Sequence, residues 1–276
     1  MKKIAIYGPS SMAGHVLYEY FSLKDDYIID CIEENEIFDE NFIIRKDVAF
    51  SDSDYIINCI RCLVDESELN TIKAINYNSY FPNFLFNHYN NTQTKIIQLS
   101  TDCVFSGKKG NYDEDSIQDG ISKYAKTKSL GEIYSDKDIT IRTSYIGPTL
   151  EGNNEELFDW FLLQHGEING YCNVFWNGIT TLELAKSISK LIELNFSGIY
   201  HLVGAEKISK FSLLSLIKKI WKKKIKINKD YSKEIDRSLV DNQKLIIPKD
   251  YTLMFSELHK YMTKKESLYK KYNLYS

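Results

Sequence analysis

The chain has 276 residues, 43% of them hydrophobic and 26% charged, enough for one large or two unequal folding units around sizeable cores. A formal net charge of −3 excludes a general nucleic-acid binder or membrane-surface binder, since both carry a basic footprint. No stretch approaches the ~18 consecutive apolar residues of a membrane span, so no membrane partner is expected.

In chain order, residues 4–7 (Ile-Ala-Ile-Tyr) read as a buried strand, too short for a signal peptide, and a cytoplasmic protein is expected. A helix follows over 12–21, with Met12, Val16, Leu17, Tyr20 and Phe21 at helical spacing. Strands are expected at 27–32 and 55–60, a helix over 71–88, a strand at 96–100, a helix over 122–134 and a strand at 139–142. Short apolar runs alternating with helices imply βαβ units and a doubly wound α/β fold with a parallel sheet, Rossmann-type.

Beyond about residue 147 helices dominate, at 155–163, 182–194, 213–221 and 256–269, interrupted by one more sheet strand at 198–203. The expected organisation is a dinucleotide-binding domain over 1–147, then a smaller, mostly helical substrate-binding portion over 148–276, interwoven with the sheet. The lysine-rich run from Lys218 to Ile227 reads as a helix end and then a strand with alternate lysines in solvent, in preference to a phosphate-binding patch. Five cysteines (31, 59, 62, 103 and 172) are an odd number, and Cys59-Ile60-Arg61-Cys62 has no second ligand pair for zinc. Structural thiols are expected, with no disulfide and no metal.

The first chemical motif lies directly between a strand and a helix: Gly8-Pro9-Ser10-Ser11-Met12-Ala13-Gly14. Exposed N–H groups at such a helix start suit a pyrophosphate. The glycine pattern here is GxxGxxG, with Ser11 in place of the middle glycine, where a side chain is awkward. Glu33, at the end of the second strand, is the candidate ribose ligand, with Asp30 the other; a carboxylate there repels a 2′-phosphate and favours NADH over NADPH. Asn58-Cys59-Ile60-Arg61 lies where backbone would line the nicotinamide-side ribose.

Downstream, Ser100-Thr101-Asp102 ends a strand at the carboxyl edge of the sheet. Tyr124 and Lys128, four residues apart, share one helix face. A lysine cation near a phenol lowers its pKa, so Tyr124 is the candidate general acid, with Thr101 holding and polarising a carbonyl oxygen. YxxxK alone recurs by chance, as in Tyr20/Lys24 and Tyr261/Lys265. It is the ordered set of glycine loop, Asn58, Thr101 and then YxxxK that favours a role for Tyr124 and Lys128, and the set resembles that of the extended short-chain dehydrogenases/reductases.

Ser100-Thr101-Asp102-Cys103-Val104-Phe105-Ser106-Gly107 is similar to the STD-[YC]-VF-x-G signature of the dTDP-4-dehydrorhamnose reductase family. Tyr124, Lys128, Gly131 and Glu132 resemble its Y-G-x-[ST]-K-x-x-G-E, and Ile141-Arg142-Thr143-Ser144 its I-R-T-S. Trp176 to Ala185, Gly198-Ile199-Tyr200-His201 and Arg237-Ser238-Leu239 resemble later family elements, so the likeness runs from about residue 3 to 260.

The resemblance implies NADPH- or NADH-dependent reduction of the C4 ketone of a nucleotide-linked 6-deoxy-4-keto-hexose, in deoxysugar biosynthesis for surface polysaccharide. Under it Tyr124 is the proton donor, Lys128 its partner and ribose ligand, and Thr101 the carbonyl tuner. Asp102, Cys103, Tyr145 and Trp176 lie near the sugar, and Gly8, Ser10, Ser11 and Met12 follow the pyrophosphate. Departures are Ser11, Ala125 after the tyrosine, and Cys103 for the commoner tyrosine. Two other readings stay open: an epimerase or dehydratase of the same superfamily, against which Cys103 stands where dehydratases place an acid, and a non-catalytic NAD(P)-binding partner protein. A homodimer is left open.

Overall fold

The computed structural model describes residues 1–48, 50–150 and 156–272. Its strands are β1 (Lys2–Tyr7), β2 (Tyr27–Ile32), β3 (Tyr55–Asn58), β4 (Lys95–Leu99), β5 (Ile139–Arg142), β6 (Tyr145–Ile146), β7 (Gly166–Trp176), β8 (Ile179–Thr180), β9 (Gly198–His201), β10 (Ile208–Ser209) and β11 (Ile225–Asp236). The helices before β5 are α1 (Gly14–Phe21), α2 (Glu34–Ile37), α3 (Val64–Leu69), α4 (Thr71–Ile75), α5 (Phe81–Tyr89) and α6 (Lys123–Leu130). After it come α7 (Leu157–Leu163), α8 (Thr181–Glu193), α9 (Lys210–Ile220) and α10 (Tyr251–Lys264).

Six strands pair in parallel in the order β2-β1-β3-β4-β5-β9. β3 and β5 are buried along their whole length, as a parallel sheet covered on both faces requires, and Ile28 of the edge strand β2 is exposed. From β1 the chain first builds outward to β2, then crosses to β3 on the other side. The crevice outside the carboxyl ends of β1 and β3 is therefore the topological switch point, the place where such sheets bind ligands.

One expected helix is broken into pieces. The stretch 71–88 is α4, a five-residue π turn (Asn76–Tyr80) and α5, instead of a straight helix. Pro82 at the start of α5 has no N–H, so the carbonyl of Asn78, four residues earlier, is not taken up in the usual way. That carbonyl instead lies against Gly131, where an added Cβ would sit 1.8 Å from the oxygen. Only glycine lets α6 end there.

Beyond β5, β7 and β11 pair in parallel and β10 joins β7 antiparallel, forming a three-stranded sheet. The expectation of a mostly helical portion omitted the 11-residue strand β7, whose GEINGYCNVFW lacks a clean apolar alternation. The lysine run is a helix end followed by the start of β11, with Lys226 exposed. α9 begins three residues earlier than expected and α10 five earlier, at the caps Ser209 and Asp250, whose side chains accept backbone N–H bonds. The main core joins Ile4, Val16 and Phe21 to Leu184, Ile188, Phe255 and Tyr269, so residues before β5 and after it share one apolar interior. All five cysteines are free, Cys59 and Cys62 fully buried.

Candidate active site

The glycine loop is closed on itself. Gly8 has φ +78°, and a Cβ on Gly14 would lie 2.1 Å from the Gly8 carbonyl oxygen. Ser11 fits the middle position because its hydroxyl turns inward, donating to Gly8 O at 2.8 Å and accepting from Gly14 N–H at 3.0 Å. Among the described residues the N–H groups of Met12 and Ala13 find no partner, which leaves donors for a phosphate at the start of α1.

A cavity of about 260 Å³ opens over this loop, lined by Gly8, Ser10, Ser11, Met12, Glu33 and Arg61 among others. Glu33 caps α2 reciprocally with Glu36 and accepts from the Ser10 hydroxyl at 2.6 Å, so its carboxylate is held in place at the end of β2. Asp30 accepts from Ser51 Oγ at 2.9 Å and lines none of the cavities described here. On the far side of Glu33, a shallower hollow is walled by Glu34, Asp39, Glu40 and Arg45. These residues fit a dinucleotide: a glycine cradle with open N–H groups, and a fixed carboxylate on the same cavity wall at the end of β2.

A second cavity of about 140 Å³ follows along the same edge. It gathers Asn58, Cys59, Ile60, Arg61, Thr101, Asp102, Cys103, Tyr124, Lys128 and Tyr145, drawn from the ends of β3 and β4, from α6 and from the start of β6. Cys59, Ile60, Arg61 and Glu156 line both cavities. Trp176 is not on this wall. It is buried behind Ser144, to whose hydroxyl its indole N–H donates at 2.8 Å.

Burial sets the electrostatics of the second cavity. The Tyr124 phenol is raised above its ordinary pKa, chiefly by burial, with Cys103 and Tyr145 adding to the shift and Arg61 opposing it. Lys128, expected to lower that pKa, is not the cation that does so. Its ammonium donates to Leu99 O at 2.6 Å, and burial, with Arg61, brings its own pKa down to about 8. The Thr101 hydroxyl accepts from Cys103 N–H at 3.1 Å and donates to Asp102 at 3.2 Å. Asn58 accepts from Ile60 N–H at 3.1 Å and donates to Gln98 at 2.8 Å, which fixes the turn leaving β3. Cys59 is pushed up to about 12 by burial, so its thiol is inert.

Beneath the cavity lies an ion pair whose two members belong to the quoted motifs without a role having been given to them. Arg142 and Glu132 are 2% and 0% exposed and meet at 2.9 Å. Glu132 also accepts from Ser100 Oγ at 2.6 Å, directly before Thr101. Glu156 and Thr149 were missed outright. They reach the first cavity from beyond β5, and nothing in their local sequence marks them.

Residues 1–239 match the RmlD substrate binding domain family. The chain belongs to this family. A dTDP-4-dehydrorhamnose reductase of Aggregatibacter actinomycetemcomitans is 30% identical to this family member over 156 residues, 52% of either chain, so the match spans about half that relative's length. A crystal structure of a dTDP-4-dehydrorhamnose reductase from Clostridium acetobutylicum superposes with TM-score 0.80 at 19% identity, covering 95% of this chain and 99% of that one. One from Bacillus anthracis, in complex with NADP, gives 0.79 at 19% identity with the same coverage. At that identity the two structures bear on the fold, and both agree with the doubly wound parallel sheet of this RmlD-family chain. No helix among the described residues is long and apolar enough to cross a membrane.

Proposed function

We propose that this chain reduces the C4 ketone of a nucleotide-linked 6-deoxy-4-keto-hexose with NADH or NADPH. The observation that carries the reading is the convergence of Thr101, Tyr124 and Lys128 on one cavity that shares a wall with the glycine-loop cavity. The RmlD membership and the relatives named dTDP-4-dehydrorhamnose reductase support the same chemistry.

Met12 and Ala13 N–H groups would hold the dinucleotide's phosphates, Glu33 the adenosine ribose, and Lys128 the second ribose. A reduced nicotinamide supplies the hydride when bound. Thr101 then turns its hydroxyl to the ketone oxygen and polarises it. Tyr124, kept protonated by burial, gives its proton to that oxygen as the carbon is reduced. Arg61 offsets the phenolate left behind, and water restores its proton. Asp102, Cys103 and Tyr145 face the sugar from the same wall.

Glu33 and Glu34 on one cavity wall would meet a 2′-phosphate with like charge, so NADH is the preferred reductant in this reading. The test is loss of reduced-nicotinamide absorbance with dTDP-, GDP-, UDP- and CDP-4-keto-6-deoxyhexoses in turn. Oxidation with one of them establishes the reductase and its nucleotide. Silence with all four, from protein that binds the dinucleotide, overturns it.

A further inference from the structure

The Arg61 guanidinium stands at the neck between the two cavities, and both are lined by it. It forms an ion pair with Glu156, with the two side chains only 16% and 18% exposed. Its other face lies over the Tyr145 ring, 5.1 Å from the centroid. Glu156 precedes α7, yet its carboxylate makes no hydrogen bond to that helix's own N–H groups. The carboxylate is turned to Arg61 instead. Among the described residues Arg61, Glu156, Cys59 and Ile60 line both cavities, so a dinucleotide reaching from the glycine loop to Tyr124 runs along this neck.

Ile60 packs against Gly8 closely enough that a Cβ there would meet Ile60 Cγ1 at 3.0 Å, so Arg61 begins one residue from the pyrophosphate loop. A guanidinium this dry needs an anion in every state, and carboxylate and phosphate oxygens present the same planar target to its N–H groups. We propose that Glu156 is a resting partner which a bound dinucleotide replaces, Arg61 leaving the carboxylate for the ligand's diphosphate. Arg61 is then a diphosphate ligand and Glu156 a positioning residue that holds it ready. The inference rests on the dinucleotide reading above and adds an exchange to it.

Competition for one guanidinium has a measurable signature. The dissociation constants of NADH and of dTDP alone are measured by calorimetry on the full chain, wild type and variants. E156Q, which keeps the shape and loses the charge, tightens NADH by about fivefold, and R61M weakens it about tenfold. In the R61M background, E156Q changes the NADH affinity less than about twofold, since no guanidinium is left to release. Equal tightening in both backgrounds reduces Glu156 to simple repulsion of the ligand and overturns the exchange. Tightening of dTDP without NADH moves the anion to the sugar nucleotide and overturns the assignment to the dinucleotide. Wild-type protein that binds neither NADH nor NADPH defeats the dinucleotide reading itself. Normal binding with no response to E156Q defeats the exchange alone.

Discussion

Ser11 shows how one side chain can take the place of a missing glycine. Its hydroxyl is consumed by Gly8 O and Gly14 N–H, so it faces the loop and leaves the phosphate side open. Tyr124 and Lys128 divide the work differently from a simple cation–phenol pair. The phenol is raised by burial and stays protonated; the amine is depressed to about 8 and carries its charge only below that pH. Tyr124→Phe therefore removes the proton donor and lowers kcat at least about a hundredfold, while NADH binding, followed by fluorescence, changes little. The same assignment fixes a pH profile. As pH rises through about 8, Lys128 loses its proton and kcat/KM falls, because kcat/KM reports groups of the free enzyme. A phenol limb follows only above the ordinary range. If the first fall is absent between pH 7 and 9, or remains in Lys128→Met, Lys128 is not the titrating group.

At the scale of elements, the catalytic residues are held by what lies under them. β4 ends at Leu99, and the backbone that carries Ser100 and Thr101 past it is pinned from below by Glu132, which follows α6. Glu132 is in turn clamped by Arg142 at the end of β5, whose Nε–H is shared between the two carboxylate oxygens at 2.9 and 3.1 Å while a terminal N–H donates to one of them at 2.9 Å. His201 of β9 completes the stack. Its Nδ1–H donates to Val240 O at 3.0 Å, leaving Nε2 to accept from Arg142 at 3.2 Å, and burial with Arg142 lowers its pKa to about 4. Such a pair is costly to break from one side, because the survivor is a buried charge without a counter-ion. Glu132→Gln should lose about 3–5 kcal/mol of stability in urea denaturation. The double variant Glu132→Gln, Arg142→Met should recover much of that loss. Equal losses in the single and double variants would mean that the charge pairing is not what Glu132 supplies.

For the whole molecule, the order β2-β1-β3 creates the crevice, and the chain beyond β5 closes over it. That later chain also supplies β9, which pairs with β5, and the apolar side chains that cover one face of the sheet. His15 of α1 meets the Tyr269 hydroxyl at 3.0 Å, and Asp159 of α7 takes bonds from Tyr272 and Thr149, tying the last turns to the cofactor side. Residues 1–147 alone would expose that face and leave β5 as an unpaired edge. We expect the fragment to aggregate or to unfold without a cooperative transition, and the full chain to melt in one step followed by circular dichroism. A soluble, sharply melting fragment would show that the first part stands by itself.

The sequence alone determined what depends on neighbours along the chain. The α/β alternation, the tight turn at Gly8, the shared face of Tyr124 and Lys128, and the strand after the lysine run all follow from backbone sterics and side-chain period, which act over a few residues. Only the tertiary structure decided which charges face which groups. Arg61, and not Lys128, opposes the rise of the Tyr124 pKa; Glu156 reaches Arg61 across 95 positions; and Trp176 is withdrawn behind Ser144. Those outcomes depend on burial and on separations in space, and the residues that set them come from strand ends far apart in the chain. The π turn before Pro82 lies between the two: the missing N–H of Pro82 is legible in the sequence, but the close approach of the Asn78 carbonyl to Gly131 is set only by the packing of α6.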